Sequence, residues 1–252
     1  MKSFAFHLQK GGVGKTSLSV STAWALSKIG RTILIDCDPQ GNTSSWLITE
    51  PPKHELAKVL YGQVETGAAI VSVCGLDVLP TFGIDGELKR YGENKLPDEP
   101  FIFCDLVAAL QTLGYQFVVF DLSPGMGRLE RAVLTATDVA ITPMTPEIFS
   151  LDGIEIFSSE LEMIRKNMRR AAQHTHIVVN AFDNRIAQHK AILGQIAKLK
   201  WAVIVVPVDP VFRKAQAVNM PIGELRGTDA AKKETLDAID RLAGELSGRG
   251  EK

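Results

Sequence analysis

Cysteine is scarce in this 252-residue chain. Three thiols, Cys37, Cys74 and Cys104, are too few and too scattered for a disulfide framework, and no C-x-x-C pair is present for zinc or an iron–sulfur cluster. Long apolar runs are missing too. The longest stretch without Asp, Glu, Lys or Arg covers residues 106–120, 15 residues interrupted by Gly114. That is short of the roughly 20 residues that span a bilayer. Only seven residues separate Lys2 from Lys10 and no cleavage site follows, so a secretory leader is not expected. Neither sign of charge dominates, with 28 Lys and Arg against 29 Asp and Glu, which excludes a globally basic nucleic-acid binder. Hydrophobic residues at 45% and charged ones at 23% fit an ordinary globular protein and exclude wholesale disorder. The expectation is a cytoplasmic protein with no membrane partner.

What is present is patterned. Residues 161–214 hold ten basic side chains (Arg165, Lys166, Arg169, Arg170, Arg185, Lys190, Lys198, Lys200, Arg213, Lys214) against three acidic ones, Glu162, Asp183 and Asp209. This +7 segment reads either as solvated helix faces or as an electrostatic footprint for nucleic acid. Apolar runs at Ser3–Leu8, Thr32–Asp36, Leu76–Pro80, Phe117–Asp121, Val139–Pro143, His176–Asn180 and Ala202–Pro207 read as strands. Most run on without strict alternation, as in strands covered on both faces. Helical spacing falls between them at Thr16–Ile29, Phe101–Leu113, Arg128–Thr135, Ser150–Ala172 and Ile186–Lys200, and again at Asp229–Leu246. Alternating β and α with Gly30 and Gly114 after helices predicts one α/β domain over residues 1–252, a doubly wound, mostly parallel sheet with helices on both faces. Residues 85–100, dense in charge, Gly and Pro, read as a surface excursion, and residues 247–252 as a frayed tail.

Lys10, Gly11, Gly12, Val13, Gly14, Lys15 and Thr16 spell KGGVGKT between the first strand and the first helix. The spacing is that of a phosphate loop, with Lys10 in the usual first-glycine position. Glycines admit positive φ and turn backbone N–H groups toward an anion, and the helix N-terminus adds partial positive charge. Lys15 is expected to reach the β- and γ-phosphates of ATP, the Thr16 hydroxyl to ligate Mg²⁺, and Ser17 to extend the loop site. Three carboxylates end strands on the side where ligands bind such sheets. Asp121 ends FVVFD and is a metal-holding acid. Asp36 is close enough to its strand to orient the loop or the metal shell. Asp38, on the loop beyond, is placed to reach an attacking water. Turn formation before Pro39 and Pro124 is the plainer role for these acids.

These motifs resemble the ParA/MinD family of deviant-Walker ATPases, in layout the small, Soj-like partitioning members. KGGVGKT (10–16), DCDPQGN (36–42) and FDLSPGMG (120–127) fall in the family's order, and looser likeness continues through VVNAFDNR (178–185) and VPVDPVFRKAQAVNMPI (206–222). The resemblance implies an ATP-dependent homodimer with nucleotide sandwiched between subunits. Lys10 would be the signature lysine that reaches the partner's nucleotide, Asp38 the water-activating acid of switch I and Asp121 the acid of switch II. Asn180, Pro207 and Asp209 match positions near the adenine. It also implies nonspecific DNA binding in the ATP state, nucleoid association and hydrolysis stimulated by a ParB-like partner, to segregate a plasmid or chromosome. Family arginines after the proline are replaced here by Val208 and Val211, so a DNA surface would be built from Arg165, Lys166, Arg169, Arg170, Arg185, Arg213 and Lys214. Gly125 departs from the family's switch II pattern and puts the hydrolysis rate in question. Positioning of a protein cargo, or a slow nucleotide-dependent switch without a DNA role, are the alternatives.

The MinD-like branch carries a basic amphipathic membrane helix that the ending LAGELSGRGEK lacks, and the larger plasmid type carries a helix-turn-helix ahead of the phosphate loop. Glu147, Phe149 and Asp152 match a dimer-contact loop in the family, or form a plain β–α connection. His174 and His176 alternate by two, which would put both on one strand face as a metal pair, although strand-edge packing is the better reading. Leu161, Met163, Ile164 and Met168 read as helix core, and Trp24, Trp46 and Trp201 as packing residues.

Overall fold

The computed structural model describes residues 1–147 and 150–249. Its strands are β1 (Lys2–Phe6), β2 (Thr32–Cys37), β3 (Val71–Val73), β4 (Leu76–Leu79), β5 (Phe117–Leu122), β6 (Val139–Met144), β7 (Gln173–Phe182) and β8 (Ala202–Pro207). The helices are α1 (Lys15–Ser27), α2 (Asn42–Leu47), α3 (Leu56–Leu60), α4 (Leu88–Asn94), α5 (Ile102–Thr112), α6 (Arg128–Ala136), α7 (Ser150–Met168), α8 (Ala187–Ile196), α9 (Val211–Ala217) and α10 (Lys233–Ser247). The strands form one sheet in the order β3-β4-β2-β5-β1-β6-β7-β8, parallel except for the β3–β4 pair. The expected doubly wound sheet is therefore present.

Alternation along each strand feeds two cores. Ala5, Ile33, Ile35, Val118 and Phe120 pack beneath α3, α4, α5, α6 and α7. Phe4, Phe6, Leu34, Phe117 and Val119 point the other way, to α1, α2, α9 and α10. Side chains two apart share a face, so a strand with helices on both sides must be apolar throughout. That is why β2 and β5 read as apolar runs up to Asp36 and Asp121 near their ends, each residue buried. A third cluster under α8 joins Leu8 and Val13 to Ile177, Val179, Ile192 and Ile196.

Differences from the sequence expectation have local causes. The charged excursion at 85–100 contains α4, whose Leu88 and Tyr91 are buried while Lys89 and Arg90 face solvent. A seven-residue helix with one apolar stripe gives too little periodicity to see. β3 and β4 form a hairpin across Cys74 and Gly75, both at positive φ (50° and 77°), the twist that two-residue hairpin turns require. α7 stops at Met168 instead of Ala172 because Arg169 turns left-handed at φ 58°. α10 starts at Lys233, four residues later than expected. There the Asp209 carboxylate accepts from the Lys232 N–H (2.9 Å) and the Thr235 hydroxyl (2.7 Å), satisfying donors at the helix start from another element. Met163, expected in the core, is 47% exposed, whereas Leu161 and Ile164 are buried.

Candidate functional site

β1 leads into the phosphate loop at the carboxyl edge of the sheet. Gly12 and Gly14 take φ of 74° and 92°, a region closed to most residues with a Cβ. Gly14 also meets a steric limit, because a Cβ there would overlap the Asn180 amide, which donates to the Val13 carbonyl at 3.1 Å. The Val13 side chain is buried. Lys15 folds back on the loop and donates to the carbonyls of Lys10 (2.7 Å) and Leu8 (3.3 Å). Burial lowers its pKa, opposed by the attraction of Asp121 and Asp38. Lys15 is thus a cation held in a low-dielectric loop by neutral acceptors, poised for exchange onto a stronger anionic one.

Asp121, next to last in β5, is fully buried. Its Oδ2 accepts the hydroxyls of Thr16 (2.8 Å) and Thr43 (2.7 Å), while Oδ1 is buried with no partner among the described residues. Burial raises its pKa to about 6, partly offset by the hydroxyls of Thr43 and Thr16. An unpaired buried carboxylate oxygen beside a threonine hydroxyl suits a hard cation that takes oxygen ligands. No group of three or more His, Cys, Asp or Glu is arranged for a metal among the described residues. A Mg²⁺ that keeps waters and takes phosphate oxygens needs only one or two protein ligands, so Thr16 and Asp121 fit it.

Asp36, expected to orient the loop or the metal shell, makes its hydrogen bonds to the segment that follows β2. It pairs with Asp121 in the β2–β5 register, and burial, reinforced by that neighbour, raises its pKa to about 8. Its Oδ2 accepts the Ser44 N–H (2.8 Å) and hydroxyl (2.7 Å), and Oδ1 accepts the Asp38 N–H at 3.2 Å. The carboxyl anchors α2 and the loop before it. Among the described residues Asp38 accepts only the Gln40 N–H (2.9 Å), through Oδ1, and it lines the cavity.

That cavity, of about 650 Å³, is lined by Gly11, Gly12, Gly14, Lys15, Thr16, Ser17 and Asp38, and by Asn42, Ser45, Trp46, Pro124 and Gln216 among others. The sequence does not single out Gln216, and it marks Trp46 as a packing residue that follows the 36–42 loop, placed to report nucleotide state by its fluorescence. Trp46 is held by its indole N–H on the Met220 carbonyl (3.0 Å), joining α2 to the segment after α9, and only the tertiary fold brings those elements together. Asn180, Pro207 and Asp209 do not line it: Asn180 supports the loop from behind, Asp209 braces α10, and Pro207 lines a second cavity with Arg185 and Lys232. Behind switch II, Glu130 of α6 accepts from the Gly127 N–H (2.8 Å) and the Ser123 hydroxyl.

Lys10 is paired within its own chain, its ammonium 2.6 Å from Glu147. Asp152 is exposed on α7, and Phe149 lies outside the described residues. The basic segment does not make one surface. α7 runs back to the amino edge, so Arg165, Lys166, Arg169 and Arg170 lie there, Arg170 3.7 Å from Asp138 ahead of β6. Arg185, Arg213 and Lys214 lie at the carboxyl edge, with Arg185 on Asp183 (2.6 Å) and Lys214 on Asp229 (2.8 Å). His174 and His176 also part, since the register slips between Ala140 and Ile141. His174 meets Phe157 of α7 edge-on, whereas His176 sits 3.3 Å from Glu245 of α10 on the opposite face.

Comparison with known proteins agrees with this geometry. The AAA domain family matches residues 1–174. An uncharacterized protein of Borreliella burgdorferi is 34% identical over 88% of this chain and 91% of its own. The chromosome-partitioning ATPase Soj of Thermus thermophilus is 30% identical over 96% of this chain and 93% of its own. A putative plasmid partition protein of Borrelia burgdorferi, solved with AMPPNP, superposes with a TM-score of 0.78 at 22% identity, covering 98% of both chains. No described helix is long and apolar enough to cross a membrane. On the family match and the near full-length likeness to Soj, the chain belongs to the ParA/MinD family of deviant-Walker ATPases.

Proposed function

We propose that this protein is a Mg²⁺-dependent, ParA-like ATPase that forms an ATP-sandwich homodimer and drives partitioning of DNA. One observation carries the reading: Lys15, Thr16 and Asp38 converge on a single cavity, with the unpaired Asp121 Oδ1 behind Thr16. Lys15 exchanges its loop carbonyls for β- and γ-phosphate oxygens, and the α1 N-terminus with the loop N–H groups holds the remaining charge. Thr16 and Asp121 hold the magnesium, which when bound neutralises phosphate charge. Asp38, with Oδ2 free of hydrogen bonds among the described residues, takes the proton of the attacking water. Lys10 leaves Glu147 to reach the nucleotide of a second subunit, which makes full charge neutralisation depend on dimer formation. A ParB-like partner accelerates hydrolysis and releases the DNA-bound dimer from the nucleoid.

Phosphate release from ATP, measured with and without Mg²⁺, tests the reading. The wild type should turn over only with the metal, Lys15→Ala should lose nucleotide binding, and Asp38→Ala should bind ATP but lose about 10²-fold or more in turnover. Turnover unchanged in Asp38→Ala would refute the assignment. A second reading, a nucleotide-dependent protein-binding switch without a DNA role, is favoured by the split of the basic residues between two edges and by the pairing of Arg185 and Lys214 with their own acids.

A further inference from the structure

A separate cavity of about 360 Å³ opens at the amino edge of the sheet, between the last turns of α7 and the segments leading into β7 and β8. We propose that it binds the phosphate group of a small solute, with Arg165, Lys200 and the Trp201 indole N–H as donors. The Trp201 Nε1 is buried with no acceptor among the described residues. The other two indoles are matched, Trp24 to Glu224 (2.9 Å) and Trp46 to the Met220 carbonyl (3.0 Å). A buried donor left alone is rare and costly, so an acceptor is expected in the cavity that Trp201 lines.

The cations beside it point to an anionic acceptor. Arg165 gives one N–H to the Ala172 carbonyl (3.2 Å), which leaves the rest of its donor fork available. Lys200 stands over the Trp201 ring, 5.2 Å from its centre. Neither meets a carboxylate within ion-pair distance among the described residues. Glu162 is the one acid in the lining, and the α7 C-terminus adds partial negative charge. Lys166, Arg169 and Arg170, on the end of α7 and just past it, outweigh both. Phosphate suits a forked guanidinium with an ammonium beside it.

The wall is preformed. His174 lies tilted against Trp201 (centroids 4.7 Å apart) and edge-on to Phe157 (5.3 Å), and Phe157 in turn packs tilted against His7, just beyond β1. Both His174 nitrogens are occupied by the hydroxyls of Thr142 and Ser158, so the ring shapes the site without donating to the ligand. A rigid wall lowers the ordering cost of binding. The recess favours a small solute over duplex DNA, whose phosphates lie on a convex surface.

The three indole N–H signals of uniformly ¹⁵N-labelled protein give the test, with Trp201→Phe assigning the Trp201 peak. Titration with inorganic phosphate should move that peak saturably and downfield. Arg165→Ala and Lys200→Ala should each weaken the titration about tenfold, the usual worth of a charged hydrogen bond, while the other two peaks show the fold intact. The Trp46 peak reports the phosphate-loop cavity independently, so failure of the ATPase reading would appear there and leave this result legible. Three outcomes would overturn the proposal: a static Trp201 peak, a midpoint unchanged in both variants, or a shift produced by a duplex oligonucleotide and not by phosphate.

Discussion

His7 and His174 are imidazoles held neutral inside the protein. Burial, helped by the nearby Lys15, lowers His7 to about 3, and burial with Lys200 close by lowers His174 to about 4. An unfolded chain titrates these rings near 6.5. Between that value and the folded ones the unfolded state binds the extra protons, so the contribution of these two rings is whole above pH 6.5 and falls as pH drops. The loss approaches about 3 kcal/mol for each ring at pH 4. Asp36 and Asp121, held at about 8 and about 6, bind protons in the folded state over the same range and act with the opposite sign. The check is therefore a difference: the urea midpoint of His174→Gln relative to wild type should rise as pH drops from 7 to 4.5. A difference that stays constant with pH would contradict the burial argument. Gly14 is the other residue on which much turns. Its φ of 92° and the Asn180 amide against it leave no room for a methyl group. Gly14→Ala should lower stability by about 1–3 kcal/mol and abolish nucleotide binding, read by calorimetry.

Short elements around the nucleotide cavity are held by buried carboxyls. Asp36 fastens α2, Glu55 accepts the N–H groups of Phe82 (2.9 Å) and Glu87 (2.8 Å), and Glu130 closes switch II onto α6. Helices of five to seven residues cannot support themselves, so their positions depend on such anchors and on packing. Removing Glu130 frees the Gly127 N–H and the Ser123 hydroxyl. Glu130→Ala should therefore lose about 1 kcal/mol, roughly 2–4 °C in Tm, and speed proteolysis within residues 123–127. Unchanged melting and cleavage would show that switch II is held by other contacts. The Asp36 and Glu55 anchors were invisible in the sequence because each partner is brought up by the fold, Ser44 to Asp36 and Glu87 to Glu55, whereas Glu130 reaches back only three residues to the start of its own helix.

Across the whole molecule, the parallel sheet sorts charge by edge. Arg213 and Arg169 belong to one basic segment yet lie at opposite ends of the strands. If DNA binds the ATP state, it should do so at the nucleotide edge. Arg213→Glu should then weaken binding and shallow its salt dependence by about one unit of slope, while Arg169→Glu changes neither. Equal effects would place the DNA contact elsewhere. Glu147→Gln releases Lys10 from its pair at 2.6 Å and should lower the protein concentration needed for ATP-dependent dimerisation, measured by light scattering; Lys10→Ala should raise it. The phosphate loop, the acids at strand ends and the doubly wound sheet were all legible in the chain, because strand–loop–helix motifs and apolar runs are local patterns. What the tertiary structure decided was non-local. It turned Asp36 into an anchor while leaving Asp121 with an unpaired oxygen, drew Trp46 and Gln216 to the cavity, and divided the basic residues between two edges. Those outcomes follow from which strands become neighbours and which way each helix runs back, and no spacing along the chain encodes either.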